Sequence, residues 1–149
     1  MKIRDLCGRG VTLIDGGAHH SAAVTATGEC LVWGRIDGGQ LGISFTPAQL
    51  QDPELIRHDE RNNPRICLRP TQVPHVGKMI HVACGTDHTI FINKMWKAYA
   101  TGINSSGQLG VGSDDDLDVP REVRSKDLER AWLSWAGAGG QFSVVAGWL

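Results

Sequence analysis

The amino-acid sequence predicts an all-β fold, because glycine is frequent, apolar runs are short and a long segment of the chain is repeated. The 149 residues include 19 glycines, against a usual share of ~7%. Glycines between short alternating runs are typical of tight turns that join antiparallel strands. Residues 11–42 also align without a gap with residues 79–110. Internal repeats of this kind indicate a fold built from copies of one unit.

The repeat is defined by glycines, one histidine and the motif GQLG. The matching positions are Gly17 and Gly85, His20 and His88, Gly34 and Gly102, and Gly42 and Gly110, the last pair ending the two GQLG motifs. A third copy begins at GAGGQFSVVAG, where Gly139 takes the place of Gly17 and Phe142 that of His20. We assign structural roles to the recurring glycines, to Gly140, to His88 and to Phe142, and we expect the Phe142 position to be semi-buried in every copy.

Each copy contains an apolar run ending in glycine, an alternating segment, a turn, a further strand and the GQLG loop. Four short antiparallel strands in a unit of roughly 50–70 residues indicate a blade of a β-propeller, whose faces the neighbouring blades must cover. We assign residues 1–10 to an amino-terminal extension, 11–78 to a first blade, 79–132 to a second and 133–149 to the start of a third. The expected fold is therefore a partial β-propeller of four-stranded antiparallel blades, two of them complete.

The two full copies differ at two places. The first copy carries an insertion at about 43–69 after its GQLG motif, and we expect this insertion to be a surface loop. Trp96 in the second copy stands where the first has Gly28. Because a tryptophan disfavours positive φ, we expect that hairpin to be built differently. Trp33, directly before Gly34, is predicted to pack in the core.

Composition excludes several classes of protein. The net charge of −1 supplies no global field that favours DNA or a membrane surface. The four cysteines form no C-x-x-C pair and match no zinc ribbon, which favours free thiols in a reducing compartment. We expect no metal site, no secretory leader and no membrane span, because no stretch approaches the ~20 apolar residues that a span requires.

The adjacent histidines His19 and His20 are candidate functional residues. Neighbours in a strand point to opposite faces, so the pair is not expected to share a metal ion. His20 lies with Ala22 and Val24 on an apolar face, which favours packing at a blade interface, while contact with a partner remains the alternative. His19 lies on the more polar side, as a hydrogen-bonded or partner-contacting residue.

Acidic residues form a second group of candidates. GSDDDLDVP contains Asp114, Asp115 and Asp116, which either form a solvated loop or face a basic patch on a partner protein. Their spacing does not match a calcium-binding loop. Asp37, in the segment WGRID, is assigned with them as a partner-binding residue.

The segments GGAHHSAAVTATGECLVWG and VACGTDH, each followed by GQLG, resemble the regulator of chromosome condensation repeat family. The resemblance covers nearly the whole chain apart from residues 1–10 and the insertion. The order of WGRIDGGQLGI, the insertion, PTQVP and GAGGQFSVVAG is similar to the carboxyl-terminal third of the fungal exchange factors of this family. Such a seven-bladed propeller needs roughly 350–400 residues, so we expect this chain to be a carboxyl-terminal portion.

The resemblance implies a guanine-nucleotide exchange factor for a Ran-type small GTPase, acting in the nucleus, with histones or chromatin as a further partner. Such a factor stabilises the nucleotide-free GTPase so that GDP leaves. It makes no covalent bond, uses no cofactor and needs no membrane or small-molecule substrate. The resemblance also implies that His20 assists exchange. The alternative is a non-catalytic propeller module for protein interaction, as in scaffolds that carry these repeats.

Overall fold

The computed structural model describes residues 2–149 and contains three antiparallel sheets in chain order. The first sheet comprises β1 (Val11–Gly16), β2 (His20–Thr25), β3 (Cys30–Arg35), β4 (Ile56–His58) and β5 (Pro64–Gln72), in the order β1-β2-β3-β5-β4. The second comprises β6 (Met79–Cys84), β7 (His88–Asn93), β8 (Ala98–Gly102) and β9 (Leu117–Glu122) in chain order. The third pairs β10 (Trp132–Gly139) with β11 (Phe142–Trp148). The all-β prediction is confirmed.

Within residues 2–149, helical structure is confined to two short segments. A 3₁₀ turn covers Arg4–Leu6, and a single α-helix, α1, covers Pro47–Gln51. Thr46 caps α1, accepting a hydrogen bond from the backbone N–H of Gln49, whose side chain accepts from the backbone N–H of Thr46 in return. No helix within residues 2–149 is long and apolar enough to cross a membrane.

The first two sheets share one register at their central strands. His20 pairs with Gly34 across β2 and β3, and His88 pairs with Gly102 across β7 and β8. A Cβ at Gly34 would lie 2.6 Å from the carbonyl oxygen of His19, and a Cβ at Gly102 would lie 2.4 Å from that of Asp87. Only glycine fits such a close approach of two backbones, which explains why glycine recurs at this position.

The hairpins that join β2 to β3 and β7 to β8 have the same hydrogen bonds. The N–H of Gly28 donates to the carbonyl of Thr25 at 2.9 Å, and the N–H of Trp96 donates to that of Asn93 at 2.9 Å. Both Gly28 and Trp96 have positive φ, 89° and 61°. The expectation of a different hairpin at Trp96 is therefore wrong. The Asn93 side-chain oxygen accepts hydrogen bonds from two backbone N–H groups of the turn, and these bonds stabilise the turn that contains Trp96.

The insertion is part of the first sheet and its core, so the expectation of a surface loop is wrong. It supplies α1, β4 and about the first two thirds of β5, and β4 pairs with β5 at the outer edge of the sheet. Ile56 and Cys67 are each 1% exposed and lie in the core of the first sheet. Because β4 is paired with β5, its apolar side chain can be buried in this core, and removing apolar surface from water is favourable.

The hydrophobic core lies between the sheets. Phe91 of the second sheet is buried in the same cluster as Val24 and Val32 of the first. Leu133 of the third sheet is buried with Ile92 of the second. Apolar faces that cover one another in sequence are the packing expected of propeller blades. We call the contact between the first and second sheets the first junction, and that between the second and third sheets the second junction.

Two predicted structural residues lie outside this core. Trp33 is half-buried and is absent from both clusters of buried residues, contrary to its predicted core packing. Phe142 is 61% exposed, whereas His20 and His88 at the equivalent positions are 3% and 0% exposed. The expectation of a semi-buried residue in every copy is not met, because none of the described strands covers this face of β11.

Candidate functional site

The strands of all three sheets end on two opposite faces. The first, which we call the histidine face, carries the turns at 17–19, 85–87 and 140–141 and the loops at 36–42 and 103–116. The opposite face carries the tight hairpins at 26–29 and 94–97, together with Trp132 and Trp148, and we call it the tryptophan face. Antiparallel strands alternate in direction, so successive turns alternate between these two faces. The histidine face holds every predicted partner-binding residue.

His20 lies beneath the histidine face and connects the first two sheets. Its Nε2 is 2.7 Å from the hydroxyl oxygen of Thr89, and that oxygen is 2.6 Å from the carbonyl oxygen of Gln40. The Thr89 hydroxyl has one proton, which it donates to the carbonyl of Gln40. The His20 Nε2–H must therefore donate to Thr89, which makes the ring a neutral Nε2–H tautomer. The His20 Nδ1 is buried and has no partner among the described residues.

The same arrangement recurs at the second junction. The His88 Nε2–H donates to the hydroxyl of Ser143 at 2.9 Å, and that hydroxyl donates to the carbonyl of Gln108 at 2.7 Å. Burial lowers the pKa of His20 from its ordinary value of 6.5 to about 4, and burial also lowers the pKa of His88. Each histidine is thus held neutral as a hydrogen-bond donor between sheets.

His19 connects the same two sheets at the surface. It lies in the turn before β2 rather than in the strand, and its side chain is 38% exposed. The expectation that His19 and His20 point to opposite faces is therefore wrong, because strand alternation does not extend into the turn and both side chains contact the second blade. Its Nδ1 is 2.8 Å from Oδ1 of Asp87, and the Gln40 side-chain amide donates to the same oxygen at 3.2 Å. Asp87 occupies the position in the second copy that His19 occupies in the first. The exposed polar surface at the first junction is therefore made by residues of both sheets.

The predicted acidic residues differ in whether their carboxylates form hydrogen bonds with neighbouring groups. Asp37 accepts hydrogen bonds from Arg35 at 2.9 Å and Arg65 at 2.8 Å, and the Arg35 guanidinium lowers the pKa of its carboxyl. Asp116 accepts from the backbone N–H of Asn104 at 2.7 Å. Asp114 and Asp115 are exposed and make no hydrogen bond or ion pair with residues 2–149. These two carboxylates are the ones free to meet a cation on another molecule.

Close backbone contact holds the turns of the histidine face together. The Ala18 N–H donates to the carbonyl of Gly85 at 3.3 Å, and a Cβ at Gly17 would lie 1.9 Å from the same oxygen. A Cβ at Gly42 would lie 2.8 Å from the Pro120 ring, whereas Gly140 has nothing within 4 Å. Gly110 has only the Val123 side chain near it, at 3.6 Å. Among these four glycines, the two with close contacts therefore lie at the first junction.

The exposed side chains of this site are suited to binding another protein. Within residues 2–149, no three histidine, cysteine, aspartate or glutamate side chains are arranged to hold a metal ion. Cys30, Cys67 and Cys84 are buried thiols, and burial raises the pKa of Cys30 to about 12. The exposed groups are hydrogen-bonding side chains and carboxylates, which suit recognition of a polar protein surface.

Sequence reasoning missed Thr89, Asp87 and Gln40. A signal was present, because Ser21, Thr89 and Ser143 place a hydroxyl directly after the histidine or phenylalanine position of each copy. Gln40 and Gln108 are likewise the glutamines of the two GQLG motifs. Asp87 carried no such signal, since the first and third copies have His19 and Gln141 at its position.

Comparisons with known proteins agree with this architecture. A model of the regulator of chromosome condensation (RCC1) repeat matches residues 27–92 and 97–146. The chain is 39% identical over 141 residues to protein pim1 of Schizosaccharomyces pombe, covering 94% of this chain and 25% of that protein. It is 30% identical over 135 residues to the guanine nucleotide exchange factor SRM1 of Saccharomyces cerevisiae, covering 90% and 27%.

A solved structure shows the same fold. Prp20p of Saccharomyces cerevisiae, whose structure is described with its binding properties to Gsp1p and histones, matches with a TM-score of 0.85 at 27% identity. The match covers 95% of this chain and 32% of that one. The prediction of a partial β-propeller is thereby confirmed. This chain spans about a quarter of the length of the curated relatives it matches.

Proposed function

The chain belongs to the RCC1 repeat family, and from this premise we propose that its histidine face forms part of the surface by which a guanine-nucleotide exchange factor binds a Ran-type small GTPase. The observation that carries the proposal is the similarity to SRM1, named an exchange factor, over 90% of this chain. The geometry of the histidine face supports it, because that face presents exposed polar groups from two successive blades.

Exchange requires binding and no covalent step. A protein that binds the nucleotide-free GTPase more tightly than the GDP-bound form lowers the affinity for GDP by the same factor. A rigid surface of hydrogen-bonding and charged groups is sufficient for this. The exposed residues of the histidine face include such hydrogen-bonding and charged groups.

We assign the contacts to the exposed members of that face. His19, held by Asp87, presents a ring edge at the first junction. Asp114 and Asp115 present free carboxylates at the second sheet. Asp37 and Asp116 are anchored by neighbouring groups and define the rim of the surface. Acidic groups of this kind steer a partner that carries a basic patch and suppress acidic competitors.

His20 enters the proposal as a positioning residue. At 3% exposure it does not reach a docked protein, but its hydrogen bond to Thr89 sets the position of the first sheet against the second. Loss of that bond would displace the His19–Asp87 pair above it. A nuclear location, with histones as a second basic partner for the acidic loop, belongs to the same proposal and rests on the family resemblance.

The test is to measure binding of this chain to a nucleotide-free Ran-type GTPase, together with release of labelled GDP. Asp115→Lys on the histidine face is compared with Asp127→Lys, an exposed aspartate in the 123–131 loop on the opposite face. We expect Asp115→Lys to weaken binding about tenfold, which corresponds to ~1.4 kcal/mol, and Asp127→Lys to leave it unchanged. Equal effects of the two changes, or no binding by the intact chain, would overturn the proposal.

A further readout separates exchange from simple docking. If the chain binds the GTPase equally well with and without GDP, it acts as an interaction module without exchange activity. If the intact chain accelerates GDP release, the rate is then measured for His20→Ala and His20→Phe. A lower rate for His20→Ala and an unchanged rate for His20→Phe would support the blade-positioning role. Unfolding curves of each variant show whether a lost effect reflects lost structure.

A further inference from the structure

The tryptophan face carries an exposed aromatic cluster at the second junction. The ring centroid of Trp96 lies 6.3 Å from that of Trp132 and 5.7 Å from that of Trp148. Trp132 and Trp148 are 54% and 56% exposed, and the neighbouring Met95 is 74% exposed. Apolar side chains packed together yet open to water are costly to leave uncovered, and such patches mark interaction sites.

Folding of the repeat does not require a tryptophan at this place. At the first junction the equivalent residue is Gly28, which forms the same turn with the same hydrogen bond. Trp96 adopts a left-handed backbone, with φ of 61°, that disfavours any residue with a Cβ. An indole retained at a position that favours glycine points to a use for the indole itself.

Cations line a groove beside Trp96 and Trp132, two of the three tryptophans of the cluster. A groove of about 410 Å³ is lined by Lys94, Met95, Trp96, Lys97, Arg130 and Trp132, with Glu129 as the single carboxylate. Lys94, Lys97 and Arg130 form no salt bridge within residues 2–149. The groove therefore has three cations against one carboxylate, a local excess of positive charge on a chain whose net charge is −1.

We propose that this groove binds single-stranded nucleic acid. Unpaired bases stack on the indoles of Trp96 and Trp132, and the backbone phosphates lie against Lys94, Lys97 and Arg130. Aromatic platforms beside a basic groove suit single strands, because every base has a π face and the contact needs no particular sequence. In a duplex the base faces are covered by neighbouring bases, so stacking on the indoles is not available.

The groove lies on the face opposite to the one proposed for the GTPase. Its occupation depends neither on His19 nor on the acidic loop, so failure of one proposal leaves the other standing. Because the global charge is slightly negative, attraction is local, and the indoles must supply a substantial share of the binding. This combination predicts a salt dependence smaller than that of a fully basic groove.

The experiment measures fluorescence anisotropy of a labelled oligothymidylate with the full chain. We expect saturable binding, a loss of about tenfold or more for Trp96→Gly and retention within about threefold for Trp96→Phe, which keeps a stacking face. Trp96→Gly restores the residue of the first repeat, so its fold is expected to be intact, and unfolding curves verify this. Unchanged affinity in Trp96→Gly would overturn the proposal.

Charge and strand arms complete the test. Lys94→Glu is expected to weaken binding and to flatten its dependence on salt concentration, whereas Arg57→Glu, an exposed cation of the insertion, is expected to do neither. The same oligothymidylate annealed to its complement is expected to bind at least about tenfold more weakly. Equal affinity for the duplex, equal effects of the two charge reversals or the absence of saturable binding would each contradict the assignment.

Discussion

The two junctions use the same histidine contact but differ in what surrounds it. At the first junction the 38–42 loop packs on the outer strands of the second sheet, where the Thr101 hydroxyl lies 2.9 Å from the carbonyl oxygens of both Gly39 and Leu117. At the second junction, no outer strands within residues 2–149 meet the equivalent 106–110 loop, since the third sheet has β10 and β11 in this range. Gly107 accordingly has nothing within 4 Å of its Cβ position.

Comparing the two junctions distinguishes three kinds of contact: the histidine hydrogen bond, the packing of the GQLG loop and the contacts on the tryptophan face. The histidine bond needs only the first two strands of the next sheet, and it is therefore present twice. Packing of the GQLG loop needs the outer two strands as well, and it is present once. On the tryptophan face, a glycine beside Lys78 at the first junction is replaced by an aromatic cluster at the second. Each difference can be tested by paired substitutions.

The largest effect is expected from loop packing. Gly39 and Gly107 are equivalent and have nearly the same φ, 71° and 70°, but a Cβ at Gly39 would lie 2.5 Å from the carbonyl oxygen of Leu117. Gly39→Ala is expected to lower the free energy of unfolding by about 4 kcal/mol, from about 1 of backbone strain and about 3 of overpacking. Gly107→Ala is expected to cost about 1 kcal/mol. Urea unfolding measures both, and equal losses would show that the loops do not differ as described.

A slightly smaller effect is expected from pH. The pKa of His20 is about 4 in the folded chain, against 6.5 ordinarily, so the unfolded chain binds more protons between these values. The contribution of neutral His20 to the free energy of unfolding is therefore fully present above about pH 6.5. It falls by about 3 kcal/mol as the pH is lowered toward 4. His88 adds a loss of the same sign, because burial lowers its pKa too.

The control for the pH effect is His20→Phe, the residue that the third copy carries at this position. This variant removes the His20 proton while carboxylates and His88 titrate as before. Free energies of unfolding are measured across the pH range for both proteins. Superimposable pH profiles would show that His20 is not held neutral at the first junction.

The smallest effect is expected from the hydroxyl groups that accept from the two histidines. Thr89 is fully buried, so Thr89→Val leaves the His20 Nε2–H and the Gln40 carbonyl without this partner, at a cost of about 2 kcal/mol. Ser143 is half-buried, so water can replace its hydroxyl and Ser143→Ala is expected to cost about 0.5 kcal/mol. Thermal and urea unfolding measure the pair. A larger cost for Ser143→Ala would reverse the order of the junctions.

Much of the fold could be predicted from the repeat. Gly34 and Gly102 recur because two backbones approach closely in each blade, and their spacing placed the strands correctly. The structure of the insertion and the hairpin at Trp96 could not be predicted from the repeat. Ile56 and Cys67 lie in very short apolar runs, at 55–56 and 66–68, within an otherwise polar segment. Only pairing of β4 with β5 brings them to the core. Trp96 obeys the turn geometry of the repeat because Asn93 and the neighbouring indoles support it, which local propensity does not include.

The sequence by itself determined the repeat unit and the alternation that places His20 on an apolar face. These features are local, depending on strand periodicity and on backbone contacts within one sheet. Only the tertiary structure decided that His20 donates to Thr89, that His19 lies in a turn and meets Asp87, and that Asp114 and Asp115 have no partner within residues 2–149. These partners come from different sheets or loops, 68 and 69 residues apart for the two histidines, and their meeting depends on how the blades stack.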